Sequence, residues 1–151
     1  MTLATRNIID AVVTHAMSLG KFEQVNAHEP KNAPGNGLHC AIFADRIGSV
    51  RSSGLDSVSA RVTFSVRVFE SMQAEPADDI DVAMLDAVDA LMGAYAADFT
   101  LGGLVRQVDL IGSDGPGLEA IGGYITVDGI EFRVFTITLP LIVNDLWTEA
   151  P

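Results

Sequence analysis

His39 and Cys40 set the chain's single thiol beside an imidazole, the two groups a nucleophilic thiolate and its general base require. Neighbours in a strand point to opposite faces, however, so the pair cannot hydrogen-bond, and Cys40 reads as a small buried apolar residue. One cysteine also excludes an internal disulfide framework and a cysteine-rich zinc site. His15 has no second His or Cys three or four residues on, so it reads as an ordinary helix residue rather than a metal ligand. The run "DDID" (78–81) lacks the spacing, central glycine and terminal glutamate of a calcium loop, and a helix start accounts for its charge. "GSDGPG" (112–117) and "LGGL" (101–104) match neither phosphate-cradling glycine pattern. The sequence therefore reads as a protein that is not an enzyme, with no cofactor and no metal.

The basic residues raise a different question. In "RVTFSVRVF" (61–69), Val62, Phe64, Val66 and Val68 share one side of a strand, and Arg61, Thr63, Ser65 and Arg67 share the other. Arg46, Arg51, Arg106 and Arg133 add to the arginines without forming a contiguous basic run, and a solvated sheet face explains them as well as a binding surface does. The chain has 9 basic and 20 acidic side chains, a formal net charge of -11. Between Arg67 and Arg106 there is no Lys, Arg or His, while Glu70, Glu75, Asp78, Asp79, Asp81, Asp86, Asp89 and Asp98 all fall there. Such a field repels phosphates, which argues against DNA as a tightly held ligand. With 151 residues, 48% of them hydrophobic, the chain is about one domain long and apolar enough for a core. No apolar run approaches a membrane span, and the N-terminus lacks the pattern of a signal peptide, so the expectation is a protein made in a cytoplasm with no membrane partner.

The elements that would hold these residues follow from periodicity. Residues 2–20 read as a helix burying Ile8, Ile9, Val12, Val13, Ala16 and Met17. Strands are expected at 22–28, 38–44 and 59–70, a loop at 29–37, and an extended arm over the Ser- and Gly-rich stretch at about 45–58 that is mobile in an isolated subunit. Residues 76–99 read as a second helix with Leu85, Val88, Met92, Tyr95 and Phe99 as its buried stripe and Asp86 and Asp89 opposite. A strand at 104–111 and a loop at 112–117 precede a closing hairpin. Its Asp128-Gly129 turn sets Val127 opposite Ile130, Ile125 opposite Phe132 and Gly123 opposite Val134 on an apolar side, with Thr126 opposite Glu131 and Tyr124 opposite Arg133 on a polar one. The fold class is α+β, a single mainly antiparallel β-sheet with two α-helices packed on one face.

The block "VNAHEPKNAPGNGLHCAIFADRIGSVRSSGLDSVSARVTFSVRVFESM" (25–72), then an acidic helix, then "ITVDGIEFRVFTITLPLIVND" (125–145), resembles the tail terminator (tail completion) proteins of long-tailed bacteriophages, particularly of actinobacterial phages. "EPKNAPG" (29–35) and "RSSGLDS" (51–57) are its most specific pieces, and the order of the blocks carries the resemblance over nearly the whole chain as a single tail-terminator-like domain. The resemblance implies a non-enzymatic virion protein, assembled in the host cytoplasm. It would form a six-membered ring at the head-proximal end of the tail tube, ending tube polymerisation. Its implied partners are other copies of itself, the tail tube protein and a head-completion or connector protein, with DNA passing through without tight binding.

In such a ring, Arg46, Arg51, Arg61, Arg67 and Arg133 are candidates to meet carboxylates such as Asp86 and Asp89 of a neighbouring copy. The lumen lining is expected from the Asp86 and Asp89 helix face or from the loop carrying Asp114. A related head-to-tail connector or tube subunit, and a small-molecule-binding α+β domain, remain as alternatives.

Overall fold

The computed structural model describes residues 2–51, 55–113 and 115–149. Helix α1 (Thr5–Ser18) leads into the short strand β1 (Gln24–Asn26), followed by β2 (His39–Ser49) and β3 (Ser57–Ser71). A 3-10 turn (Ala77–Asp79) opens helix α2 (Ile80–Ala97), and β4 (Gln107–Val108), β5 (Glu119–Val127) and β6 (Ile130–Thr148) complete the chain. The strands form one six-stranded sheet in the order β1-β2-β3-β6-β4, with β5 also on β6. All pairings are antiparallel except β1 with β2, so the sheet is mixed.

Several expected boundaries shift for physical reasons. The strand expected at 38–44 runs on to Ser49, because a β-bulge absorbs one residue between Ala44 and Arg46 and the ladder with β3 resumes at Arg46↔Thr63. The hairpin arm is thus strand at 45–49 and 57–58, and the part of it at 52–54 lies outside the described residues. The strand expected at 104–111 shrinks to two residues, since the chain leaves the sheet through Asp109 into the loop that follows.

Val62, Phe64, Val66 and Val68 of β3 and Ile137, Leu139 and Leu141 of β6 form the main core with Ile8, Val12 and Ala16 of α1 and Met84, Val88, Leu91 and Tyr95 of α2. In α2 the buried stripe differs from the expected one: Ile80, Met84, Ala87, Val88, Leu91 and Tyr95 are buried, whereas Leu85 and Phe99 are about half exposed. The helix is apolar almost all round, so two stripes of helical spacing compete in the sequence and only its docking chooses. Met17 likewise faces solvent. The helices are joined by the Tyr95 hydroxyl donating to Val12 O at 3.0 Å and by His15 Nε2 with Asp98 Oδ2 at 2.9 Å.

The closing hairpin has the expected register, from Val127↔Ile130 to Gly123↔Val134, around Asp128 (φ 51) and Gly129 (φ 77). Its apolar side does not face the helices, which corrects the expected cover. Along β6 the apolar phase switches at Val134-Phe135: Phe132 and Val134 point to one face, while Phe135, Ile137 and Leu139 point to the other. β3 switches likewise at Val68-Phe69. Phe69, Phe132, Val134 and Ala41 therefore make a second, smaller core on the face away from the helices, with Phe69 and Phe132 edge to face at 6.5 Å. Ala33 of the 29–37 loop packs on that cluster, and its N–H donates to Asp128 Oδ2 at 2.8 Å.

Two outcomes follow. Phe64→Ala, at 3% exposure in the main core, is expected to lower unfolding free energy by about 3–5 kcal/mol in chemical denaturation; an unchanged midpoint contradicts the packing. Asp98 is held below its ordinary pKa by the Gly102 N–H and then by His15. Its ionised form is therefore favoured in the folded state, and that stabilisation is present above the ordinary value of 3.8 and lost as pH falls through the depressed folded value. In thermal melts from pH 7 to pH 2, Asp98→Asn should flatten the acid limb relative to the parent chain.

Candidate subunit interface

Alternation along β3 places Arg61, Thr63, Ser65 and Arg67 on the face away from the helices, as expected, but these arginines do not stand free. The Arg61 side chain is 11% exposed and its Nη2 lies 3.6 Å from Oδ2 of Asp109, which is 1% exposed. The same Nη2 donates to Pro116 O, and Asp109 Oδ1 accepts from Ser113 N–H at 2.8 Å. Gly115, at φ 142, passes so close that a Cβ there would stand 3.0 Å from Arg61 Cζ. The ion pair thus fastens the loop after β4 across the sheet, and only glycine allows the loop to lie so near the guanidinium. Arg67 Nε donates to Thr136 Oγ1 at 3.0 Å on the neighbouring strand, with its guanidinium 5.5 Å from the Phe43 ring centre.

Arg133 is not on this face. Opposite Tyr124 and Glu70 in register, it points toward the helices, where Nε donates to Asp81 Oδ1 at 2.8 Å and Nη1 to Gly123 O at 3.0 Å. Its guanidinium lies over Tyr124 at 4.7 Å and Phe135 at 4.8 Å, and the Asp81 hydrogen bond raises its pKa. Asp81 opens α2, so the contact anchors the acidic helix start to the sheet. Glu70 stays apart: its Oε2 is buried without a hydrogen-bond partner, and burial raises its carboxyl pKa.

Arg46, Arg51, Asp86 and Asp89 are exposed. Arg46 and Arg51 share the β2–β3 hairpin with Ile47 (53% exposed), the fully exposed Leu55, and the exposed Asp45 and Asp56. Asp86 and Asp89 share the outer face of α2 with Val82 and Leu85, each more than half exposed. These two patches, one of mixed charge and one acidic, each beside exposed apolar side chains, lie on different elements; α2 starts level with Glu70, and the residues after it join β6 at Ile142, level with Arg61. The hairpin turn precedes Ser57, while Arg133, which holds the start of α2, is level with Glu70. Asp114 lies outside the described residues.

The grooves do not assemble reactive groups. A cleft of about 270 Å3 lies between Arg46 and Arg61 over Thr63, bounded by Gly115 and Pro116. Another, of about 290 Å3, runs under the 29–37 loop and includes His28 and His39, whose rings bond to the carbonyls of Glu29 and Asn36 in the same loop region. Burial raises the Cys40 pKa to about 12, which keeps the thiol protonated at neutral pH. Among the described residues no three His, Cys, Asp or Glu side chains come together to hold a metal, and no helix is long and apolar enough to cross a membrane.

No family model matches the chain, and no curated protein matches it. Among solved structures, it is similar to the sheath/tube terminator of an extracellular contractile injection system in the extended state, with 12% identity and a TM-score of 0.39 over 100% of this chain. It spans 61% of that chain's length. It is also similar to a chain of the virion of a native gene transfer agent particle, with 12% identity and a TM-score of 0.38, covering 89% of this chain and 92% of that one.

The buried arginine yields a measurable expectation. Arg61→Met leaves the Asp109 carboxylate buried without its cation and should cost about 3 kcal/mol or more in urea unfolding. Adding Asp109→Asn should return part of that loss; strict additivity of the two changes would contradict direct coupling.

Proposed function

We propose that the chain is a structural protein of a phage-like tail, a terminator that assembles head to tail into a six-membered ring at the head-proximal end of the tail tube. In this role it ends tube growth and presents a surface to a head-completion or connector protein, within the virion and without catalysis. The motif order described above points to this class of protein. The single observation that carries the ring is that each copy exposes two unlike patches on different elements, one on the β2–β3 hairpin and one on the outer face of α2. A closed ring of one kind of subunit needs two different surfaces on each copy. The hairpin arginines Arg46 and Arg51 would meet Asp86 and Asp89 on the α2 of a neighbour. Arg61, Arg67 and Arg133 act within the subunit, shaping those surfaces rather than crossing between copies.

The excess of carboxylates suits a lumen through which DNA moves, since phosphates find few cations to hold them. A connector or tube subunit shares this ring logic and differs in what it caps.

Electron microscopy and native mass measurement of purified protein are expected to give rings, which stop the elongation of tube protein added to them. Arg46→Glu with Arg51→Glu should weaken assembly at least tenfold, about 1.4 kcal/mol per contact, and Asp86→Arg with Asp89→Arg on a second copy should restore mixed rings. Duplex DNA should not be retained at physiological salt. A protein that stays monomeric at all concentrations contradicts the reading.

A further inference from the structure

β5 is the outer strand on its side of the sheet, and it lacks the devices that normally keep such an edge from pairing. It is nine residues long, contains no Pro, Lys, Arg or bulge, carries Gly122 and Gly123 at its centre, and exposes Ile121 and Tyr124 at 64% and 59%. The turn fixes which backbone groups are open. Val127 and Ile130 flank a two-residue turn and so form a hydrogen-bonded pair, as do 125 with 132 and 123 with 134. The N–H and C=O groups of Ala120, Gly122, Tyr124 and Thr126 therefore point away from β6. Among the described residues, no other strand pairs with that side.

The opposite side of the sheet is open too. β1 covers β2 only at His39, Cys40 and Ala41. Leu38 O accepts from Glu23 N–H on that outer side, while Val50 N–H donates inward to Ser59 O. Counting from both ends, across the bulge before Arg46, places the backbone groups of Ile42, Ala44, Ile47 and Ser49 on the outside. The charged Asp45 and Arg46 and the bulge make this edge selective, and Ile47 is half exposed on it.

We infer that β5 of one copy pairs with the outer edge of β2, residues 42–49, of the next copy, so that the sheet continues from subunit to subunit. This rests on the ring reading above and names its seam. Strand directions support it. β2, β3, β6 and β5 alternate, so a second copy placed beside β5 presents β2 antiparallel to it. The two edges differ, so the contact is head to tail and requires no symmetry within it. Glu119 is level with Phe43 through Thr138 and Ser65, so the next copy must slide along the strands by several residues, the kind of stagger that tilted strands supply when a sheet closes.

Hydrogen exchange on the full chain, as isolated subunits and as assembled rings, tests the seam together with two substitutions. The amides of Ala120, Gly122, Tyr124 and Thr126, and of Ile42, Ala44, Ile47 and Ser49, should exchange at least an order of magnitude more slowly in the assembly. Tyr124→Pro removes one outward N–H at an edge position where proline is tolerated, and should leave folded subunits by circular dichroism that no longer assemble. Tyr124→Ser keeps the N–H and should still assemble. Rings whose edge amides exchange as fast as in the subunit overturn the seam while leaving the ring reading intact, as does equal loss of assembly in both variants. Absence of rings in the parent chain overturns both.

Discussion

The pairing of β3 with β6 is the interaction on which the other elements depend. A 15-residue strand and a 19-residue strand run side by side from Ser57↔Thr148 to Ser71↔Phe132. β2 adds to one side of this ladder, while β4 and β5 add in succession to the other. Because the two strands are so long, they serve two cores. Over most of their length the valines of β3 and the Ile and Leu side chains of β6 face the helices; at one end both strands switch apolar phase and Phe69, Phe132 and Val134 face the other way. The face away from the helices is thus covered at one end by the Phe69 cluster and at the other by the loop that begins at Asp109 and lies over Arg61.

The arginines gain meaning from that ladder. On the face away from the helices Arg61 pins a glycine-rich loop through Asp109, and Arg67 bridges to Thr136 beside Phe43. Arg133, beyond the phase switch, reaches the start of α2 instead. Desolvated cations of this kind are held by specific partners, since leaving either member alone would cost more than the pair contributes. Of the arginines and aspartates weighed as contacts between copies, those left exposed, Arg46, Arg51, Asp86 and Asp89, lie on the hairpin and on the outer face of α2.

Much of this was legible in the sequence because it depends on near neighbours. Strict alternation from Arg61 to Phe69, helical spacing in 5–18 and 80–97, and the Asp128-Gly129 turn are local patterns, and they yielded the α+β class, the strand and helix identities and the register of the last hairpin. Even the second core had a local trace, the adjacent apolar pairs Val68-Phe69 and Val134-Phe135, each marking where a strand changes the face it buries.

Distance in the chain hid the rest. Which of two apolar stripes α2 buries depends on where Arg133 and Val12 hold it, contacts spanning 52 and 83 residues. Whether Arg61 is a surface cation or a buried clasp depends on a loop that begins at Asp109 and folds back over it. The bulge that carries β2 on to Ser49 shows only in its pairing with β3. Sequence by itself determined the period of each element, because side-chain direction along a strand or helix is fixed by backbone geometry. The tertiary structure alone decided which face met which partner, because burial and charge pairing are settled by groups brought together from remote parts of the chain.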